Sequence, residues 1–100
     1  PGGADVAREL AEIFINEAPK YVDQLKMACR DSDAATLRRV AHTLKGSAAI
    51  FEVQPLVQLS QEIEELAKSG DPESCAHRIE QLGSLVPTLT SELKDFVNSN

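Results

Sequence analysis

The sequence predicts an all-α fold: an antiparallel up-down four-helix bundle with an additional short N-terminal helix. Apolar residues recur at steps of three and four along most of the chain, the period that gathers them on one face of a helix. They are mainly Leu, Ala, Val and Ile, aromatics make up only 4% and Trp is absent, a composition that favours helix over sheet. Pro and Gly fall mostly between the periodic stretches, and short connections between long amphipathic helices make neighbours antiparallel. A chain of 100 residues holds one core and is too small for two.

The first helix is predicted from Ala4 to about Glu17 on Val6, Leu10, Ile13 and Phe14, with Pro19 marking a break or a new start. The second tolerates Pro19 in its first turn and runs to Arg30 on Tyr21, Val22, Leu25, Ala28 and Cys29. "DSDAA" then reads as a turn, with Ser32 or Asp33 as N-cap of a third helix whose seam is Leu37, Val40, Ala41, Leu44, Ala48 and Phe51. "EVQP" interrupts it. Pro55 suits the first turn of a fourth helix built on Leu56, Leu59, Ile63 and Leu66, and Gly70 closes that helix. Asp71 and Pro72 open the fifth, whose seam is Cys75, Ile79, Leu82, Val86, Leu89, Leu93 and Phe96; Pro87 lies inside it, and because the repeat stays in phase a kink is expected rather than a stop.

Charge excludes some functions. A net charge of −6 argues against nucleic-acid or anionic-membrane binding, which need a basic surface. No apolar run approaches the ~18 residues of a membrane span and no signal peptide precedes the fold, so a cytoplasmic domain is expected. Cys29 and Cys75 have neither a C-x-x-C partner nor a nearby His cluster; they read as reduced core residues, not as a metal site. No phosphate loop, nucleotide fingerprint or hydrolase motif appears, which argues against a self-sufficient enzyme. Residues 1–100 read as a single domain, and the "PGG" start suggests that it was excised from a longer polypeptide.

Within this acidic chain, residues 34–51 carry Arg38, Arg39 and Lys45 and no acid. At roughly 100° per residue, His42 falls opposite the apolar stripe of its helix, with Arg38 and Arg39 one turn before it and Lys45 and Gly46 one turn after. Mid-helix glycine costs ~1 kcal/mol relative to Ala, so a bare backbone beside the histidine suggests a partner that comes close. A neutral imidazole has a free ring nitrogen able to attack phosphorus, and the phosphohistidine so formed wants cationic donors, one of which Lys45 can supply. His77 also lies opposite its seam, but among Glu73, Ser74, Glu80 and Gln81, and reads as surface decoration.

The run "AHTLKGSAA" resembles the H-x-x-K-G-[SA]-[SA] signature of histidine-containing phosphotransfer (HPt) domains of bacterial phosphorelays, with His42, Lys45, Gly46, Ser47 and Ala48 all in place. The pattern of helix lengths and breaks extends the likeness over roughly residues 8–95. The resemblance implies that His42 accepts a phosphoryl group from a receiver-domain aspartyl phosphate and passes it to another response regulator receiver. It also implies that Lys45 pairs with the phosphoryl oxygens and that Gly46 admits the receiver. Relatives often place a Gln or Glu against the other ring nitrogen, and ungapped counting puts Glu64 there; the alternative is that Glu64 is one more charge on an acidic solvated face. Arg38 and Arg39 are docking or phosphate contacts or simply solvated, while Ala49 and Ile50 are expected in the docking patch.

Magnesium is expected from the partner receiver, since the histidine's cationic neighbours cannot hold it, and the domain needs no cofactor of its own. A hybrid sensor histidine kinase is a further expected partner, the expected state is a monomer, and no kinase activity on ATP is expected. Two other readings stand beside this one: a bundle that docks receivers or dimerises without phosphotransfer, and a domain phosphorylated directly by an ATP-binding partner.

Overall fold

Helix α1 spans Gly2–Arg30, α2 Ala34–Ile50, α3 Gln54–Lys68 and α4 Ala76–Asn98, with a 3₁₀ turn over Pro72–Cys75 leading into α4. These elements come from a computed structural model that describes residues 2–99, with side chains from Asp5 onward. Among the described residues there is no strand, and no helix is long and apolar enough to cross a membrane.

The separate N-terminal helix is not found: α1 continues unbroken through Pro19. Proline removes one helical hydrogen bond and crowds the preceding turn, a penalty of ~3 kcal/mol in an isolated helix. Here Pro19 is exposed, so the carbonyl it leaves unpaired can face water. Phe14, Ala18, Val22, Leu25 and Ala28 meanwhile keep one buried stripe in phase across it. Packing of that stripe outweighs the local penalty. For the same reason α4 continues through the exposed Pro87. The fifth expected helix does open at Pro72, but as one 3₁₀ turn.

Each of the first three helices closes in the same way. Ser32, Glu52 and Gly70 adopt positive φ (53°, 56° and 83°) just past the helix ends. The following amides reach back to carbonyls five residues earlier: Asp33 to Ala28, Val53 to Ala48 and Asp71 to Leu66. This double-bonded stop satisfies carbonyls that a helix end would otherwise leave open, and it turns the chain sharply. At the start of α2, Asp33 accepts from the Thr36 amide at 3.1 Å and from its hydroxyl at 2.6 Å. Those two bonds hold the Asp33 carboxyl below its usual pKa.

The core joins all four helices through Phe14, Val22 and Leu25 of α1, Leu37, Val40, Ala41, Leu44 and Ala48 of α2, Leu56 and Ile63 of α3, and Ile79, Leu82 and Val86 of α4, with Cys75 alongside. Phe51 closes one end by meeting Phe14 edge-to-face at 5.5 Å. Along the α1–α4 pair, Arg8 donates to the Ser99 carbonyl, Lys26 lies over Gly83 and the Cys29 thiol donates to the Pro72 carbonyl. Both cysteines are free thiols; Cys75 is buried, which with neighbouring Cys29 pushes its pKa up to about 11, whereas Cys29 is only half-buried.

Four expected seam residues lie outside the core, the half-buried Leu10 among them. Val6, Ile13 and Phe96 are exposed. Helices α1 and α4 are longer than α2 and α3 in a molecule 46 Å long and about 20 Å across, so the far ends that carry Val6 and Phe96 have only each other to pack against, while Ile13 lies at the edge of the α1 stripe beside Ile50 of α2. Thr90 is buried on α4 instead, its hydroxyl returned to the Pro87 carbonyl.

Candidate functional site

The buried stripe of α2 fixes what its opposite face displays. With Leu37, Val40, Ala41, Leu44 and Ala48 turned inward, Arg38, Arg39, His42, Gly46 and Ala49 come to the outside. The His42 side chain is 68% exposed, and its Nδ1 lies 3.0 Å from Glu64 Oε2 on α3. Lys45 Nζ donates to the other oxygen of that carboxylate, Oε1, at 2.7 Å. Glu64 lies against the inner ring nitrogen of His42 and not free on the acidic face, and its second oxygen meets Lys45, a contact outside both expectations: one carboxylate ties together two α2 side chains.

The Lys45 hydrogen bond holds the Glu64 carboxyl below its ordinary pKa; partial burial opposes this and the His42 bond adds to it. Glu64 is therefore ionised at neutral pH and can only accept. It follows that Nδ1 carries the hydrogen of a neutral imidazole and that Nε2 holds the free lone pair. The ring is pinned from behind by its inner nitrogen, leaving the outer one for chemistry.

Lys45 does not project outward: it is only 27% exposed, against 23% for Glu64. Gly46 is open, since a Cβ built on it meets nothing within 4 Å. Arg38 and Arg39 line an open hollow of about 490 Å³ with Ala35, His42, Thr43 and Glu64. Thr43 and Ser47 return their hydroxyls to the Arg39 and Thr43 carbonyls along the same helix. His77 is exposed on α4, apart from this group.

Ile13, expected in the seam of the first helix, lies at the surface instead. Ile13 of α1 is 58% exposed and Ile50 of α2 is 57% exposed. Both line a narrow cleft with Leu10, Glu17, Tyr21, Ser47 and Phe51, so the apolar surface beyond Gly46 is shared between α1 and α2. The sequence signal was present but ambiguous, because Ile13 falls in helical phase with Leu10 and Phe14. Periodicity alone does not say which edge of a stripe goes uncovered.

The linkage of Glu64 to stability has a definite sign. A carboxyl whose folded pKa is lowered contributes stability that is fully present above its unfolded value, ~4.3, and is lost as pH falls through the folded value. In urea unfolding, the parent is expected to exceed Glu64→Gln by no more than ~1 kcal/mol near pH 7, as for an ion pair at the surface that water still reaches, and the two should converge in acid. A difference that persisted undiminished at low pH would contradict the ionic role of Glu64.

Four packed helices that hold the exposed His42 imidazole against a carboxylate of the neighbouring helix define a helical histidine-presenting bundle. The family model described as "Hpt domain" matches residues 9–97, and the chain belongs to that family. The phosphorelay protein LuxU of Vibrio vulnificus strain YJ016 is 38% identical over 69 residues, covering 69% of this chain and 60% of the relative; LuxU of strain CMCP6 gives the same values. The chain thus spans about 60% of the length of the curated relatives it matches. No solved structure matches it.

Proposed function

We propose that this domain is a phosphorelay intermediate in which His42 takes a phosphoryl group from the aspartyl phosphate of one receiver domain and gives it to another. The observation that carries the reading is the Glu64 bond to Nδ1, which leaves Nε2 as the outward nucleophile of a 68% exposed ring. The Nε2 lone pair attacks phosphorus, the phosphorus–oxygen bond to the receiver's aspartate breaks, and that electron pair returns to the carboxylate. Nδ1 keeps its proton throughout, so the phosphorylated ring is cationic and lies beside the ionised Glu64. Attack by the next receiver's aspartate on phosphorus reverses these changes.

Phosphoryl transfer needs positioning and charge neutralisation more than covalent chemistry from the protein, so one presented imidazole is enough. Magnesium enters with the receiver, whose acidic pocket suits it; the cations beside His42 do not. In this reading the domain is a phosphocarrier without ATP-dependent activity, works in the cytoplasm as a monomer, and meets receivers through Gly46, Ala49 and Ile50, with Ile13 extending that patch. The three-residue connections and the pairings of α1 with α4 and of α2 with α3 support an up-down antiparallel order. The family and the 38% identity to a phosphorelay protein support the reading as a whole.

Incubation with a ³²P-phosphorylated receiver tests it. Label is expected on the parent and on His77→Ala as an acid-labile, base-stable phosphoramidate, and none on His42→Ala. Receiver binding without label on the parent would replace phosphotransfer by docking alone. Label acquired only from ATP and a kinase domain, with no receiver present, would overturn the receiver-to-receiver route.

A further inference from the structure

We propose that Arg38 and Arg39 form a cationic half of the receiver-docking surface and draw in the acidic rim of the receiver's magnesium-binding pocket. This rests on the phosphotransfer reading and names the part of the partner that this side of His42 meets. The phosphoryl oxygens stay with Lys45, as the family resemblance implies, and the arginines act on the receiver itself.

The first ground is where the two side chains stand. Both are exposed on α2 one turn before His42, and with it they line the open hollow of about 490 Å³. At ~1.5 Å per residue they precede His42 by roughly 4–6 Å, while Ala49 and Ile50 follow it by roughly 10–12 Å. An interface of ordinary size covers ~800 Å² on each partner, enough to span both sides at once. A receiver brought up to Nε2 thus meets positive charge on one side of the imidazole and apolar surface on the other.

The second ground is that this charge is uncommitted. Lys20, Arg30, Lys45 and Arg78 each pair with a carboxylate, whereas neither Arg38 nor Arg39 takes part in an ion pair among the described residues. The acid that Arg39 influences, Asp33, accepts from the amide and hydroxyl of Thr36. Glu64, which shares the hollow, has one oxygen on His42 and the other on Lys45. Both guanidinium groups therefore keep their fields for something outside the chain.

The third ground is complementarity of sign. The chain carries a net charge of −6, so most of its surface repels an acidic pocket. Residues 34–51, with three cations and no acid, reverse that sign beside the histidine. Complementary charge of this kind raises on-rates by ~10 to 10³ and suppresses wrong approaches more than it deepens affinity.

Salt dependence tests the proposal. Transfer from a ³²P-phosphorylated receiver, held below saturation so that the second-order rate constant is read, is followed by rapid quench at ionic strengths of about 0.01 M and about 1 M. The parent, Arg38→Gln/Arg39→Gln and Arg38→Lys/Arg39→Lys are compared, and circular dichroism confirms folding of each. Potassium phosphoramidate, a small donor that needs no receiver, reads the chemistry at His42 separately. The glutamine pair is expected to be roughly tenfold or more slower than the parent at low salt and to approach the parent's rate at high salt, where the field is screened. Its loading by phosphoramidate should fall much less. The lysine pair should regain most of the low-salt rate, because steering needs charge and not the guanidinium fork.

A parental rate in the glutamine pair at low salt, or a loss that does not shrink as salt rises, would overturn the proposal. So would a lysine pair as slow as the glutamine pair, or an equal loss with phosphoramidate, which would put the arginines at the phosphorus. Loading of the parent by both donors without the salt effect removes this proposal alone. If the parent gained no phosphate on His42 from either donor, the phosphotransfer reading itself would fall.

Discussion

Gly46→Ala is expected to stabilise the free domain by about 1 kcal/mol while slowing phosphoryl transfer from a receiver by up to roughly 10²-fold. The stability half rests on backbone physics. Gly46 lies inside α2, and a Cβ there meets nothing within 4 Å, so the folded chain accepts the methyl group without displacing anything. Glycine carries more conformational freedom in the unfolded chain than alanine, and removing that freedom favours the folded state. Nothing inside the folded chain thus requires a glycine at this position.

The transfer half follows from what lies outside. Gly46 is one turn beyond His42 on the same exposed face, where an approaching receiver would bring its phosphoryl centre in line with Nε2. A methyl group there holds the partner off by about 1 Å, and misplacement on that scale can cost ~10² in rate. Urea unfolding reads the first effect and rapid-quench transfer from a labelled receiver reads the second. Loading by phosphoramidate should be unchanged, because a small donor does not cross Gly46. Receiver-driven transfer at the parent rate would make Gly46 incidental.

Periodicity located the core well where helices are covered on both sides. Leu37, Ala41, Leu44 and Ala48 on α2, and Cys75, Ile79, Leu82 and Val86 leading into and along α4, are buried as their spacing requires. It misassigned Val6, Ile13 and Phe96 because phase tells which side of a helix is apolar, not whether another element reaches it. Pro19 misled for a related reason: its local penalty is visible in the sequence, while the packing that offsets it belongs to the α1 stripe as a whole. Ser32 and Glu52 hold left-handed conformations usually given to glycine, so two of the three helix stops carried no glycine to announce them. At the site, counting brought Glu64 to the level of His42, but the capture of Lys45 by its second oxygen depends on the register between α2 and α3, which the sequence does not state.

Leu44→Ala is expected to cost about 2–5 kcal/mol, a large part of the ~5–15 kcal/mol that stabilises a domain of this size. Leu44 is wholly buried among Leu37, Val40, Ala41, Leu56 and Ile63 of the same core, so truncation leaves a cavity that rigid helix backbones close only in part. Leu44→Met, which nearly conserves volume, should cost less than ~1.5 kcal/mol. Ile50→Ala, on the same helix but 57% exposed, should stay within ~0.5 kcal/mol while weakening receiver docking. Leu44 follows His42 by two positions yet points to the opposite side of α2, so the two substitutions separate fold from chemistry. Leu44→Ala should lower the urea midpoint and still acquire phosphate at near-parental rates per folded molecule, because the His42–Glu64 pair lies on the surface between α2 and α3. A loss below ~1 kcal/mol would mean that Leu44 is not packed in the common core of the four helices.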